Sequence, residues 1–157
     1  MDIIKDDVIG ILKYDGRNKF RDIEITLFGK EYTVSLNIRG NKNTSIHPYQ
    51  YMAYKELFRR SLLSDIEEKI FSYYLSEVEE FRNMYEEQAD QVAPLIDDKN
   101  ELGALVSLFA IIIPENNKSS EIDMLFECTW DIDGGLGVRI INGVVQEVGT
   151  QHVAISG

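Results

Sequence analysis

The first part of the chain carries apolar residues in two patterns that are typical of β-strands. The segment VIGILKY is a short apolar run that ends at the turn signal Asp15-Gly16. The segments RDIEITLF and YTVSLNIR alternate apolar and polar residues, and Gly29-Lys30 between them suits a two-residue type II′ turn. The pattern over residues 8–38 therefore predicts a three-stranded antiparallel meander.

The middle of the chain has the periodicity of helices. Pro48 suits the first turn of a helix, and we expect this first helix to cover residues 48–63. Ser64 and Glu67 form a capping-box pattern, which predicts a second helix from Ser64 to about Gln88. The apolar positions of this second helix recur every three or four residues and form one stripe: Ile66, Ile70, Tyr74, Val78, Phe81 and Tyr85.

The last part of the chain again has strand patterns. Residues 105–113 form a continuous apolar run, which predicts a central strand ended by Pro114. Residues 121–131 separate an apolar face from a polar face that we expect to contact water. The apolar face consists of Ile122, Met124, Phe126, Cys128 and Trp130. The polar face includes Glu121, Asp123, Glu127, Thr129 and Asp131. Asn142-Gly143 then predicts a tight hairpin with a type I′ turn.

Strand patterns at both ends and helix patterns between them favour the α+β class. We expect an antiparallel sheet built from the N- and C-terminal strands, with the two central helices packed on one face. The 157 residues contain 44% hydrophobic and 27% charged residues, which is ordinary for a globular protein. A single α+β domain over residues 1–157 is therefore the expected organisation.

The net charge narrows the classes of partner. The formal charge is −11, and residues 64–101 contribute twelve acidic and three basic side chains to it. This charge repels nucleic acid and anionic membranes, and it attracts a basic protein. Acidity also maintains solubility, and the acidic face of a long helix is often simply solvated, so both interpretations stay open. The expected state is a monomer or a homodimer.

Several features favour the cytoplasm. Cys128 is the only cysteine, so no internal disulfide forms, and the first ten residues lack the pattern of a signal peptide. The run ALVSLFAIII is about half as long as a membrane-spanning helix requires. Because Cys128 lies on the apolar face of its predicted strand, we expect it to be a buried hydrophobe and not a nucleophile.

The carboxylates of the chain do not form a recognised catalytic or metal-binding motif. Asp131 and Asp133 precede a glycine turn, but the positions of an EF-hand loop that require Gly and Glu hold Leu136 and Asn142. Asp131 and Asp133 therefore remain only weak candidates for a cation site. The chain has no phosphate-binding loop, dinucleotide fingerprint, nucleophile elbow or zinc-binding helix motif. We expect no catalytic residue and no cofactor.

Tyrosines beside carboxylates favour contact with a protein. The chain has eight tyrosines, six of which fall in the two predicted helices, so some of their rings should be exposed. An alternative is that these rings cover the rim of the sheet. The candidate partner-binding residues are Tyr51, Tyr54, Glu79, Glu86, Glu87, Glu127 and Asp131.

The segment CTWDIDGGLGVRIINGVVQEVG resembles the C-terminal end of a group of small uncharacterised bacterial domains. Their shared pattern is Trp-Asp-x-Glu-His-Gly-Leu-Gly, a strand, Asn-Gly, and a second strand that ends in Gly. The matching residues are Trp130, Asp131, Gly135, Leu136, Gly137, Asn142, Gly143 and Gly149. Asp133 and Gly134 replace the Glu and His of the pattern. The resemblance implies a relation to immunity proteins of bacterial polymorphic toxins.

Three functional hypotheses follow. The leading one is a non-enzymatic acidic binding protein, which neutralises a basic partner in the manner of an immunity protein. The first alternative is a cation-dependent or acid–base enzyme centred on Asp131 and Asp133. The second alternative is a structural or regulatory adaptor that associates with itself through the long helix.

Overall fold

The structure, a computed structural model, describes residues 2–41 and 43–155, which form eight strands and three α-helices. The strands are β1 Asp2–Asp6, β2 Gly10–Tyr14, β3 Asn18–Leu27, β4 Lys30–Arg39, β5 Val106–Ile113, β6 Glu121–Cys128, β7 Leu136–Ile141 and β8 Val144–Gly149. The α-helices are α1 Pro48–Leu57, α2 Arg60–Tyr85 and α3 Ala89–Val92. Short 3₁₀ segments cover Glu86–Gln88, Lys99–Ala104 and Gln151–Ala154.

All eight strands form one sheet in which spatial order follows chain order from β1 to β8. Six of the neighbouring strand pairs in the described chain are antiparallel. The central pair, β4 with β5, is parallel, and its register runs from Ser35 opposite Ala110 to Ile38 opposite Ile113. Parallel neighbours require a long crossover connection, and α1, α2 and α3 lie within that connection.

The predicted arrangement, an antiparallel sheet from the terminal strands with two central helices on one face, is therefore wrong. The sheet is mixed, and most of the helical residues belong to α2, which has 26 residues against ten in α1. The two antiparallel halves are held by local turns that leave a signal in the sequence. The relative direction of the two halves depends on contacts between residues far apart, which periodicity does not report.

The boundary between the two long helices also differs from the prediction. α1 ends at Leu57, and Arg59 has an extended backbone before α2 begins at Arg60. Ser64, the predicted cap, lies inside α2. The break after Phe58 changes the direction of the chain, so that Leu57 before it and Leu62 after it are both fully buried. Burial of these two leucines thus overrides the local capping signal.

The hairpin between β3 and β4 turns one residue earlier than expected. Leu27 pairs with Lys30, so the two loop residues are Phe28 and Gly29 and not Gly29 and Lys30. Both have positive φ angles, 56° and 71°, as a type I′ turn requires. Phe28 accepts this conformation although it is not glycine, because its ring is buried and its N–H donates to the Glu67 carboxylate.

One face of the sheet packs against α1 and α2 and forms the main core. α1 lies over β5 and β6, and α2 lies over β3 and β8. Tyr74 of α2 meets Trp130 edge to face with ring centroids 4.8 Å apart, and both rings are buried. Cys128 is a free, buried thiol, as expected, and burial raises its pKa to about 12. The Asn142-Gly143 hairpin is also confirmed, with both residues at positive φ.

The second face of the sheet is partly covered, and the expectation that β6 turns this face to water is wrong. Leu125 and Ile112 pack there against Ala154 of the segment Gln151–Ala154. Gln151 fixes this segment to the sheet, because its side-chain amide donates to the Phe126 carbonyl oxygen over 2.8 Å. Glu121 and Asp123, which share this face with Leu125, are also buried.

Candidate functional site

The most unusual polar cluster lies on the second face of the sheet, at Glu121, Asp123 and Arg139. Asp123 stands opposite Arg139 across β6 and β7 and is 5% exposed. The Glu121 carboxylate lies 3.6 Å from Arg139 Nε and accepts from Asn116 over 3.2 Å. In the described part of the chain, Asp123 Oδ1 and Arg139 Nε are buried without a hydrogen-bond partner.

The electrostatics of this cluster favour a neutral Asp123. Burial raises the pKa of its carboxyl to about 8, the neighbouring Glu121 carboxyl adds to the rise, and Arg139 opposes it. Asp123 therefore carries a proton near neutral pH. Sequence reasoning missed this cluster, although Leu125, an apolar residue between Asp123 and Glu127 on the supposed water face, was a usable signal.

A different surface is formed by the end of α2 and the turn after it, residues 79–90, which we call the acidic helix end. The buried stripe of α2 comprises Leu62, Ile66, Ile70, Tyr74 and Val78, and it ends at Val78. Beyond it Phe81 is half-buried but still packs against the core, whereas Tyr85, the last residue of the predicted stripe, is half-buried outside the core cluster. Glu86 has a positive φ of 49°, and here the chain reverses so that α3 packs back on α2.

The acidic helix end has a strong excess of negative charge. It contains Glu79, Glu80, Glu86, Glu87 and Asp90, all exposed, against one basic residue. That residue, Arg82, is already engaged: it donates to Asp90 over 2.7 Å and to the Ala93 carbonyl oxygen over 2.9 Å.

The position of these carboxylates is unfavourable for the isolated protein. The C-terminal end of a helix carries a partial negative charge, so Glu86 and Glu87 lie where a cation would be stabilising. Met84, which is 69% exposed, adds apolar surface to the same end of α2. The acidic helix end thus combines negative charge and apolar contact area.

The two candidate tyrosines lie on α1, away from the acidic helix end. Tyr51 donates a hydrogen bond to the Asp6 carboxylate, and this bond together with burial raises the pKa of Tyr51 to about 12. It thereby ties the β1–β2 hairpin to the helix. Tyr54 packs edge to face on Phe58, with 5.1 Å between ring centroids. Both tyrosines are half-buried, and their partner-binding role stays a prediction.

Glu127, Asp131 and Asp133 lie at the end of β6 and in the following turn. Glu127 is exposed and lines a shallow depression of about 270 Å³ with Lys30. Asp131 Oδ1 accepts from the Gly134 N–H over 2.8 Å, so this carboxylate stabilises its own turn. Asp133 is exposed. Among residues 2–41 and 43–155, no group of three or more His, Cys, Asp or Glu side chains is arranged to hold a metal ion.

The candidate partner-binding residues therefore fall on three surfaces: α1, the acidic helix end, and the end of β6. The structure brings together only Glu79, Glu86 and Glu87. Glu147 of β8 stands opposite Arg139 in the row of Asp123. Glu127 is four residues further along β6, or about 13 Å away at the rise of a strand.

Comparison with known proteins identifies the family of this chain. A family model described as a domain of unknown function, DUF6985, matches residues 8–155. The chain belongs to the DUF6985 family. The DUF6985 match includes β2 to β8 and all three α-helices. It confirms the expectation of an uncharacterised domain family, whereas the relation to immunity proteins stays a prediction. No curated protein and no solved structure matches the chain.

One further finding concerns membranes. Within the described residues, no helix is both long enough and apolar enough to cross a bilayer. The cytoplasmic location stays a prediction.

Proposed function

We propose that this protein binds a basic protein partner through the acidic helix end and acts without catalysis, in the manner of an immunity protein. The observation that carries the proposal is the set of exposed carboxylates at the end of α2, whose only basic neighbour within residues 79–90 is already bound to Asp90 and Ala93. A basic partner would supply the positive charge that this helix end lacks.

Physical arguments support this assignment. A concentration of one sign of charge accelerates the encounter with an oppositely charged surface and makes the complex sensitive to salt. Exposed Met84 provides apolar area of the kind that protein interfaces bury. The neutralising role rests on the resemblance of the C-terminal segment to immunity-associated domains.

The test compares two variants of equal charge. The first carries Glu79→Lys, Glu80→Lys, Glu86→Lys and Glu87→Lys. The matched control carries Asp7→Lys, Glu31→Lys, Asp133→Lys and Glu147→Lys, which are exposed positions elsewhere. Four reversals of two charge units each bring the formal net charge of both variants from −11 to −3. The proteins are tagged and used for affinity capture from the native lysate, with elution by a salt step.

We expect the wild type and the control to capture the same basic protein in a stoichiometric amount, and the first variant to lose it. The captured protein is then purified, and its affinity for each form is measured at two salt concentrations. Equal loss in both variants would show that overall charge, and not the acidic helix end, attracts the partner. Capture of no basic protein by the wild type would contradict the proposal.

A further inference from the structure

The edge of β3 is only partly covered by its neighbour. In the described chain, β2 pairs with β3 at Lys13 with Phe20 and at Tyr14 with Lys19, whereas β4 pairs with β3 along its whole length. Residues 21–27 of β3 therefore have a paired strand, β4, on one side only. The β2 strand diverges at this point, and the Arg21 guanidinium donates to the Ile9 carbonyl oxygen.

The register shows which main-chain groups point to this free edge. Leu27 and Lys30 close a two-residue hairpin loop, and such a closing pair exchanges both main-chain hydrogen bonds. Because bonded and non-bonded pairs alternate along antiparallel strands, Glu24 and Thr26 direct their N–H and C=O groups away from β4. No hydrogen bond of the described residues uses the free-edge groups of these two. The edge thus offers unsatisfied donors and acceptors.

A groove runs beside this edge, between β3 and the connection of α1 to α2. It consists of two depressions of about 440 and 550 Å³ that share Phe58. The first also includes Glu24 and Tyr54, and the second includes Thr26 and Leu63. The Phe58 ring is 44% exposed, which provides an apolar surface on the helix side of the groove.

The charge of this edge disfavours a second copy of the chain and favours a foreign strand as its occupant. Asp22 and Glu24 lie on the exposed side of β3, whose other side holds the buried Ile23, Ile25 and Leu27. A second copy that added β3 to β3 around Glu24 would place Glu24 directly opposite its counterpart, and like charges opposite each other are destabilising. Both copies would also carry a formal charge of −11. Arg21 and Arg60 also line the groove, but Arg21 already donates to the Ile9 carbonyl oxygen. The exposed side of the free edge carries Asp22, Glu24 and Thr26, so this side is suited to a foreign strand with basic residues.

We propose that the free edge of β3 binds an extended peptide segment of alternating basic and apolar residues, which adds to the sheet as a further strand. Its main chain bonds to Glu24 and Thr26, as in other cases of strand addition. Its basic side chains lie on the exposed side with Asp22 and Glu24. Its apolar side chains contact Phe58 and Leu63. This surface is separate from the acidic helix end, and the inference does not rest on the proposed function.

The probe is the synthetic peptide acetyl-KVKVKVK-amide, titrated into the full chain with fluorescence anisotropy as the measurement. Three further peptides separate the contribution of side-chain alternation from that of main-chain hydrogen bonds. One has the same composition with the lysines and the valines in separate blocks. In the other two, either the lysine or the valine amides are N-methylated. In an antiparallel complex the lysine N–H groups face β3, and in a parallel complex the valine N–H groups do. We expect one methylated form to bind at least about tenfold more weakly and the other to keep its affinity.

Two protein variants complete the test. Glu24→Pro removes an N–H that faces the free edge, and it leaves the hydrogen bonds to β4 intact. We therefore expect this variant to fold and to bind the peptide at least about tenfold more weakly. Glu24→Gln removes only the charge and should weaken binding less. Circular dichroism shows whether each variant is folded. If Glu24→Pro does not fold, the difference in affinity between the two methylated peptides is the test of the proposal. Equal effects of the two methylations, or equal binding of the block peptide, would overturn the proposal. Self-association of the wild type that Glu24→Pro abolishes would replace it by a homodimer.

Discussion

Replacing Asp123 by asparagine tests the buried carboxyl cluster through the pH dependence of stability. Burial raises the pKa of Asp123 from 3.8 to about 8 in the folded protein. Between these two values the folded protein keeps a proton on Asp123 that the unfolded chain releases. Rising pH therefore favours the unfolded state over this range, and the stability linked to Asp123 is greatest below pH 4.

The size of the effect follows from the linkage of one proton. The free energy of unfolding changes by about 1.4 kcal/mol per pH unit between the two pKa values, so the wild type loses roughly 3 kcal/mol from pH 5 to pH 7 through the buried carboxyl. The side-chain amide of the Asp123→Asn variant does not titrate and resembles the protonated acid. The stability of this variant relative to the wild type should therefore rise by roughly 3 kcal/mol over the same interval.

The assay is urea denaturation at several pH values, followed by the fluorescence of Trp130, which is the only tryptophan and is buried against Tyr74. Asp133→Asn is the matched control, because Asp133 is exposed. We expect the control and the wild type to change in parallel with pH. If the free energy of unfolding of Asp123→Asn also changes with pH in parallel with that of the wild type, to within about 0.5 kcal/mol, the carboxyl is ionised in the folded protein and the reasoning from burial fails.

Two further predictions concern the core and a turn. Tyr74→Phe should lower the free energy of unfolding by about 1–2 kcal/mol, because the Tyr74 hydroxyl donates to the Pro94 carbonyl oxygen over 2.6 Å, and urea denaturation measures the change. Phe81→Leu, at a half-buried position without this bond, is the control. Gly143→Ala and Gly16→Ala should destabilise by similar amounts, because both positions have a positive φ, 74° and 97°. A Cβ at Gly143 would lie 2.6 Å from Glu56 Oε2, but this atom ends a flexible side chain that can move aside, and a Cβ at Gly16 meets nothing within 4 Å. Thermal denaturation compares the two, and a much larger loss for Gly143→Ala would show that the Glu56 side chain is held in place.

The elements that sequence reasoning predicted well are those whose cause is local. The Asn142-Gly143 hairpin follows from two residues that tolerate positive φ, and the stripe from Ile66 to Val78 follows from helical periodicity. The cluster of acidic residues around Glu79, Glu86 and Glu87 was also predictable, because the charge of a segment can be counted from the sequence without knowledge of the fold.

The features that it missed depend on distant contacts. The face that Asp123 shares with Leu125 is covered in part by the distant segment Gln151–Ala154, and the apolar Leu125 is the local sign of that cover. The helix break after Phe58 contains neither Gly nor Pro, so it leaves no local signal. The groove beside Glu24 exists because β2 diverges from β3 while the helix connection approaches it, which alternation alone cannot predict.

The parallel pairing of β4 with β5 has a consequence for how the chain folds. Each half of the sheet is closed by short turns, so its strands find one another with little loss of loop entropy. Ser35, by contrast, must meet Ala110, which lies 75 positions further along the chain. Contacts of such sequence separation slow folding, since the intervening helices must first be accommodated. We therefore expect the centre of this sheet to assemble last, after the antiparallel pairs on either side of it.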